Sequence, residues 1–199
     1  MDARQHVPEI IDEAEATGEV AEIYHGEIAQ RGFVMEATKC WTVRPDLLPL
    51  YEQFSASLRA NFSLGTRGWR LITFIVAKHI PSTYCSHVYA RLLTAELGSK
   101  DQVLAVQRDF RTAGLSDKEV AMLTYAEQVA RDASRITPAD IDALRTVGFS
   151  DVEIGDIALC ASWRCFLSRF FDATGAAPEP MFLDADEEFR AAMTVGKAL

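Results

Sequence analysis

The segment "AKHIPSTYCSHVYARLL" at 77–93 gathers a thiol, several hydroxyls, two phenols and two imidazoles. Its centre is Cys85. The thiolate is the nucleophilic form of cysteine, and the start of a helix favours negative charge. Pro81 fixes the start of a helix here, which puts Ser82 and Cys85 in or near its first turn. At about 100° per residue, Ser82, Cys85 and Tyr89 share one face. His87 lies two residues on, about 200° round, and is no same-helix base for Cys85. Tyr89 can hydrogen-bond the thiol, but a phenol with an ordinary pKa of about 10 is a poor base at neutral pH.

The elements that must position this segment read as helices throughout. No stretch shows sustained period-two alternation, and no Asn-Gly or Asp-Gly hairpin signal occurs. "SDKE" at 116–119, "TPAD" at 137–140 and "SDVE" at 150–153 each set Ser or Thr three residues before an acid. That is the capping-box pattern, and Pro138 takes the favoured first helical position. Gly98, Gly114, Gly148 and Gly175 follow helical runs as stops. The predicted helices are 18–31, 45–60, 66–79, 82–97, 100–112, 117–132, 138–147 and 151–174. Val120, Leu123, Tyr125 and Val129 form the apolar stripe of a surface helix. The helix over 151–174 is apolar on most sides and should be central. "AAPEPMFLDADEEFRAAM" at 176–193 reads as an extended proline segment followed by a short acidic helix, within an acidic tail at 181–199.

Composition narrows the classes. The chain has 199 residues, 49% of them hydrophobic and 25% charged, enough for one domain with a sizeable core. Its net charge of −9, with no Lys/Arg cluster, speaks against nucleic acid and against anionic membranes as partners. "MDARQHVPEIIDEAEA" lacks the apolar run of a signal peptide, and "LITFIVA" at 71–77 is too short to span a bilayer. A soluble cytoplasmic protein is expected, with Cys40, Cys85, Cys160 and Cys165 as free thiols. The four histidines and four cysteines show no paired metal spacing, and no Gly-rich phosphate loop occurs, so no metal or cofactor is expected.

The cysteine segment resembles the active-site helix of the carboxymuconolactone decarboxylase family, in its alkylhydroperoxidase (AhpD)-like, peroxidase-related branch. "GEVAEIYHGEIAQRGFV" and "RPDLLPLYEQFSASLRA" are similar to its leading helices, and 115–180 to the region after its motif. The likeness runs from about 18 to 180. It implies an all-α AhpD-like bundle, a single domain over 1–199 with an N-terminal helical extension, assembled as a dimer, trimer or hexamer around a small-molecule pocket.

The family motif is a glutamate followed by Cys-x-x-Cys-x-x-x-His. Its two cysteines fall on Ser82 and Cys85, its histidine on Tyr89 and its glutamate on Arg70. Ser82 cannot form the motif's disulfide, so the two-cysteine cycle is not expected. Three readings of Cys85 follow. It is a buried apolar residue in a pocket whose chemistry has changed. Or it is a single-cysteine thiol that meets peroxide and is recycled by an external thiol, with Arg70 favouring the thiolate. Or the pocket does non-redox, decarboxylase-like chemistry or binds a small organic acid, with Arg70 on the carboxylate. Ser82, Tyr89 and Arg70 are expected as neighbours of Cys85 in hydrogen-bond and charge roles.

Other residues take plainer expectations. Lys78 and His79 belong on the surface at a helix end. Cys160 and Cys165 belong in the core. Trp163 and Phe166 are packing residues that could line the pocket. Arg164 and Arg169 are expected in buried or intersubunit ion pairs.

Overall fold

The computed structural model describes residues 8–199. Among them it holds ten α-helices and no strand: α1 (Gly18–Arg31), α2 (Glu36–Cys40), α3 (Leu48–Ala60), α4 (Gly65–His79), α5 (Thr83–Leu97), α6 (Lys100–Asp109), α7 (Asp117–Asp132), α8 (Pro138–Thr146), α9 (Asp151–Thr174) and α10 (Glu187–Met193). The eight expected helices are present. The two short ones, α2 and α10, differ in how visible they were. The acidic α10 was expected, whereas α2 is five residues long and carries no cap signal. His6 and the start of the N-terminal stretch lie outside the described residues.

The caps act as their residue types require. Ser116, Thr137 and Ser150 each close a reciprocal capping box with Glu119, Asp140 and Glu153. Each box satisfies two helix-end donors and is worth about 1 kcal/mol. Gly98 and Gly175 end α5 and α9 at φ of 86°, in the left-handed region where a Cβ is penalised.

Helices α4 and α9 form the centre. Leu71, Ile72, Phe74, Ile75 and Val76 of α4 are fully buried. They join Leu123 and Ala126 of α7 and Ile157, Cys160 and Ala161 of α9 in one apolar cluster. A second cluster gathers Val20 and Tyr24 of α1, Cys40, Trp41 and Leu48, Tyr84, Cys85 and Val88 of α5, and Leu167 and Phe171 of α9. Tyr89 and Trp163 pack against both clusters, so α5 and α9 carry the seam between them.

Several expectations need correction here. Lys78 and His79 are half-buried, not surface groups. The Lys78 ammonium donates to the Gln107 and Arg108 carbonyls at the end of α6. The His79 imidazole meets Glu127 at 2.8 Å. Cys160 and Cys165 are in the core as expected, and all four thiols are free.

The back of α5 is held by the chain's end. Thr83 Oγ1 donates to the Lys197 carbonyl at 2.7 Å and accepts from Gly196 N–H at 3.0 Å. Gly196 has no room for a side chain: a Cβ there would stand 1.9 Å from the Pro81 carbonyl oxygen. His87 is buried on this back face, away from Cys85 as its helical angle required, and meets Thr194 Oγ1 at 3.2 Å. Burial, helped by the charge of Arg190, pushes its imidazole down to about 4. The native state therefore keeps His87 neutral while the unfolded chain protonates it below about 6.5. Stability contributed by the neutral ring is complete above that value and is lost as pH falls toward 4. The wild type's advantage over His87→Gln in urea unfolding should shrink by about 1–3 kcal/mol between pH 7 and pH 4. An advantage that stays constant across that range would show that His87 does not titrate this way.

Candidate functional site

Ser82 is the N-cap of α5. Its hydroxyl oxygen accepts from Cys85 N–H at 3.5 Å and donates to Asp172 Oδ1 of α9 at 3.2 Å. Burial pushes the Asp172 carboxyl up, while the Ser82 bond and the charge of Lys197 oppose that rise. Ser82 is thus a positioning residue, fully buried, which fixes the first turn of α5 against α9. Cys85 follows in that first turn with no exposed surface.

The decisive neighbour of Cys85 comes from α9. Arg164 Nη2 lies 3.4 Å from Cys85 Sγ, and its guanidinium carbon lies 4.9 Å from the centre of the Tyr89 ring. Arg164 is only 6% exposed. Within the chain it makes no ion pair: no carboxylate lies within 4 Å of it among the described residues, and its Nε has no hydrogen-bond partner. A guanidinium does not lose its proton in a protein, so a full positive charge stands beside the sulfur. Such a charge stabilises negative charge on Sγ.

A cavity of about 520 Å³ opens on the other side of Arg164. Tyr51 of α3, Trp69 and Arg70 of α4, Tyr84 and Tyr89 of α5, and Phe171 of α9 line it with Arg164. Cys85 stands behind this wall. Glu27, Arg31, Glu52 and Arg59 also face the space. Tyr51 and Tyr84 hold their protons firmly. Burial pushes Tyr51 up to about 12, against the pull of Arg164, and raises Tyr84 well above its ordinary value with the help of Glu179. Glu52 is the cavity's unusual acid. Burial lifts its carboxyl above the ordinary range, Glu27 adds to that, and Arg59 and Arg31 work against it.

The residues singled out from sequence meet here in part. Cys85, Tyr89 and Ser82 are neighbours at the start of α5. Tyr89 makes no hydrogen bond to the thiol, because the Arg164 guanidinium stacks on its ring and takes that place. Arg70 reaches the cavity wall, but its guanidinium is paired with Glu96 at 2.5 Å rather than turned to the sulfur. Trp163 and Phe166 are not cavity residues. Trp163 stacks on Phe166 at 5.4 Å, and Phe166 is half exposed. Arg164 was visible only as a charge interrupting an apolar helix four residues after Cys160. Nothing in its spacing pointed to Cys85.

No family model and no curated protein matches the chain. Solved structures do. An uncharacterized peroxidase-related protein from Silicibacter sp. TM1040 superposes with a TM-score of 0.82 at 20% identity, over 92% of this chain and 96% of that one. The fold is AhpD-like. An alkylhydroperoxidase AhpD core protein, peroxidase-related and uncharacterized, from Ralstonia eutropha JMP134 matches with a TM-score of 0.74 at 21% identity, over 98% and 100% of the two chains. The debrominase Bmp8 in complex with 2,3,4-tribromopyrrole matches with a TM-score of 0.73 at 18% identity, over 95% of each chain. In this AhpD-like bundle α5 carries Cys85, and α9 supplies the guanidinium beside it. Among the described residues no cluster of three metal-ligating side chains occurs, and no helix is long and apolar enough to cross a membrane.

The Arg164–Cys85 contact makes a direct prediction. Arg164→Met should slow alkylation of Cys85 by iodoacetamide at pH 7 by about tenfold or more, since it removes the cation beside the reacting sulfur. Arg164→Lys should recover part of the rate. Cys85→Ala subtracts the other three thiols. Equal rates for wild type and Arg164→Met, with the fold intact by circular dichroism, would remove Arg164 as the charge partner.

Proposed function

We propose that the protein is a peroxidase-related, thiol-dependent hydroperoxide reductase that works through one redox cysteine, Cys85. The observation carrying this reading is the buried Arg164 guanidinium, 3.4 Å from Sγ, which also faces the aromatic cavity. A thiolate held there attacks the distal oxygen of an alkyl hydroperoxide. The S–O bond forms, the O–O bond breaks, and Cys85 becomes a sulfenic acid while the alkoxide leaves and takes up a proton. Two equivalents of an external thiol then return the sulfenic acid to thiol, yielding a disulfide and water. Arg164 also stabilises charge that develops on the leaving oxygen. Because Cys85 has no exposed surface, the substrate reaches it when the Arg164–Tyr89 stack parts.

A second reading is supported by the aromatic walls and by the likeness to the debrominase. The same thiol would replace a ring bromine by hydrogen, with two external thiols going to a disulfide and bromide and a proton released. Exposed Phe54 and Phe166 flank Trp163 and leave an apolar face outside the site, which supports the homo-oligomer reading.

Consumption of cumene hydroperoxide with dithiothreitol as reductant separates the readings from bromide release from 2,3,4-tribromopyrrole. Peroxide turnover should fall at least a hundredfold in Cys85→Ala, and dimedone should label Cys85 in the wild type after peroxide addition. Turnover that survives Cys85→Ala would sink the proposal. Bromide release without peroxide turnover would select the second reading.

A further inference from the structure

The cavity carries an uncompensated positive charge that the thiol chemistry does not exhaust. Four arginines and two glutamates line it in a chain whose net charge is −9. Arg31 is paired with Glu27 at 3.2 Å, and Arg70 with Glu96. Arg59 at the exposed mouth and Arg164 at the buried floor have no carboxylate within 4 Å among the described residues. A guanidinium taken out of water without a counter-charge is costly to keep, so its retention at a cavity floor marks a site completed by something else. Its Nη2 faces Cys85, while its Nε is buried with no partner at all.

The walls describe the rest of that missing group. Tyr51, Trp69, Tyr89 and Phe171 present ring surface, and the Arg164 guanidinium lies over the Tyr89 ring among them. A volume of about 520 Å³ lies within the roughly 300–1,000 Å³ of small-molecule sites. Glu27 and Glu52 disfavour a second negative charge on the occupant. Glu52 lies in the field of Arg59, which leaves Arg164 as the lining charge to be matched by one ligand anion.

From these observations we infer that the cavity binds a planar aromatic monoanion, its charged group on the Arg164 guanidinium and its ring among Tyr51, Trp69, Tyr89 and Phe171. The inference rests on the reading that this cavity is the reactive pocket, and it names the class of molecule that the thiol meets there. It gives Arg164 a second role, as the residue that selects charge.

The test is calorimetric titration with 1-naphthoate, with the neutral isostere 1-naphthamide and the non-planar anion cyclohexanecarboxylate as comparators. The wild type should bind 1-naphthoate at least tenfold more tightly than either. Arg164→Met should bring the naphthoate affinity down to that of the amide while leaving amide binding unchanged. Cys85→Ala, which removes the sulfur reaction, should keep the preference for naphthoate, so binding and turnover fail separately. If Arg164→Met does not fold, the wild-type comparison of naphthoate with its amide still decides. Equal affinities in the wild type would overturn the inference. So would a naphthoate preference that survives in folded Arg164→Met, or one that vanishes with Cys85.

Discussion

A permanently charged guanidinium buried against a thiol is the constraint around which this molecule is arranged. Arg164 can remain there only because its surroundings spread the cost: the Tyr89 ring offers its face, Cys85 offers a polarisable sulfur, and the cavity leaves one edge open. The parts come from three helices. Arg164 rides on α9, Cys85 and Tyr89 on α5, and the cavity floor borrows Trp69 and Arg70 from α4. The apolar packing of α4 against α9 and α5 is therefore what holds the charge at a fixed distance from the sulfur.

The rest of the fold serves the rigidity of α5. Its N-terminus is tied to α9 through Ser82 and Asp172, and its back face is tied to the chain's end through Thr83, His87 and Gly196. A helix held on both sides cannot easily rotate, and the thiol keeps its register to Arg164. Ser82 illustrates how one position can exchange roles. A hydroxyl accepts the N-cap hydrogen bond well and makes no disulfide, so the turn that could carry a second thiol instead gains a bond across to α9.

Much of the fold was legible because local rules and tertiary structure agree. The three capping boxes start α7, α8 and α9 where Ser116, Thr137 and Ser150 predicted. Gly98 and Gly175 stop α5 and α9 in the left-handed conformation that only glycine adopts without penalty. The central place of α9 followed from its being apolar on most sides. Helix α2 was not legible, since five residues without a side-chain cap carry too little local signal. Lys78 and His79 misled because a cation at a helix end is an exposed group by default. Here, instead, Lys78 finds the open carbonyls of α6 and His79 finds Glu127.

The site divides along the same line. Position on one helix is a local property, so the sequence by itself determined that Ser82, Cys85 and Tyr89 gather at the start of α5 and that His87 turns away. Contacts between helices depend on crossing geometry and on which of several compatible side chains arrives first, and no spacing within one helix records that. Only the tertiary structure could decide that the cation at Cys85 is Arg164, 79 residues away, while Arg70 is spent on Glu96.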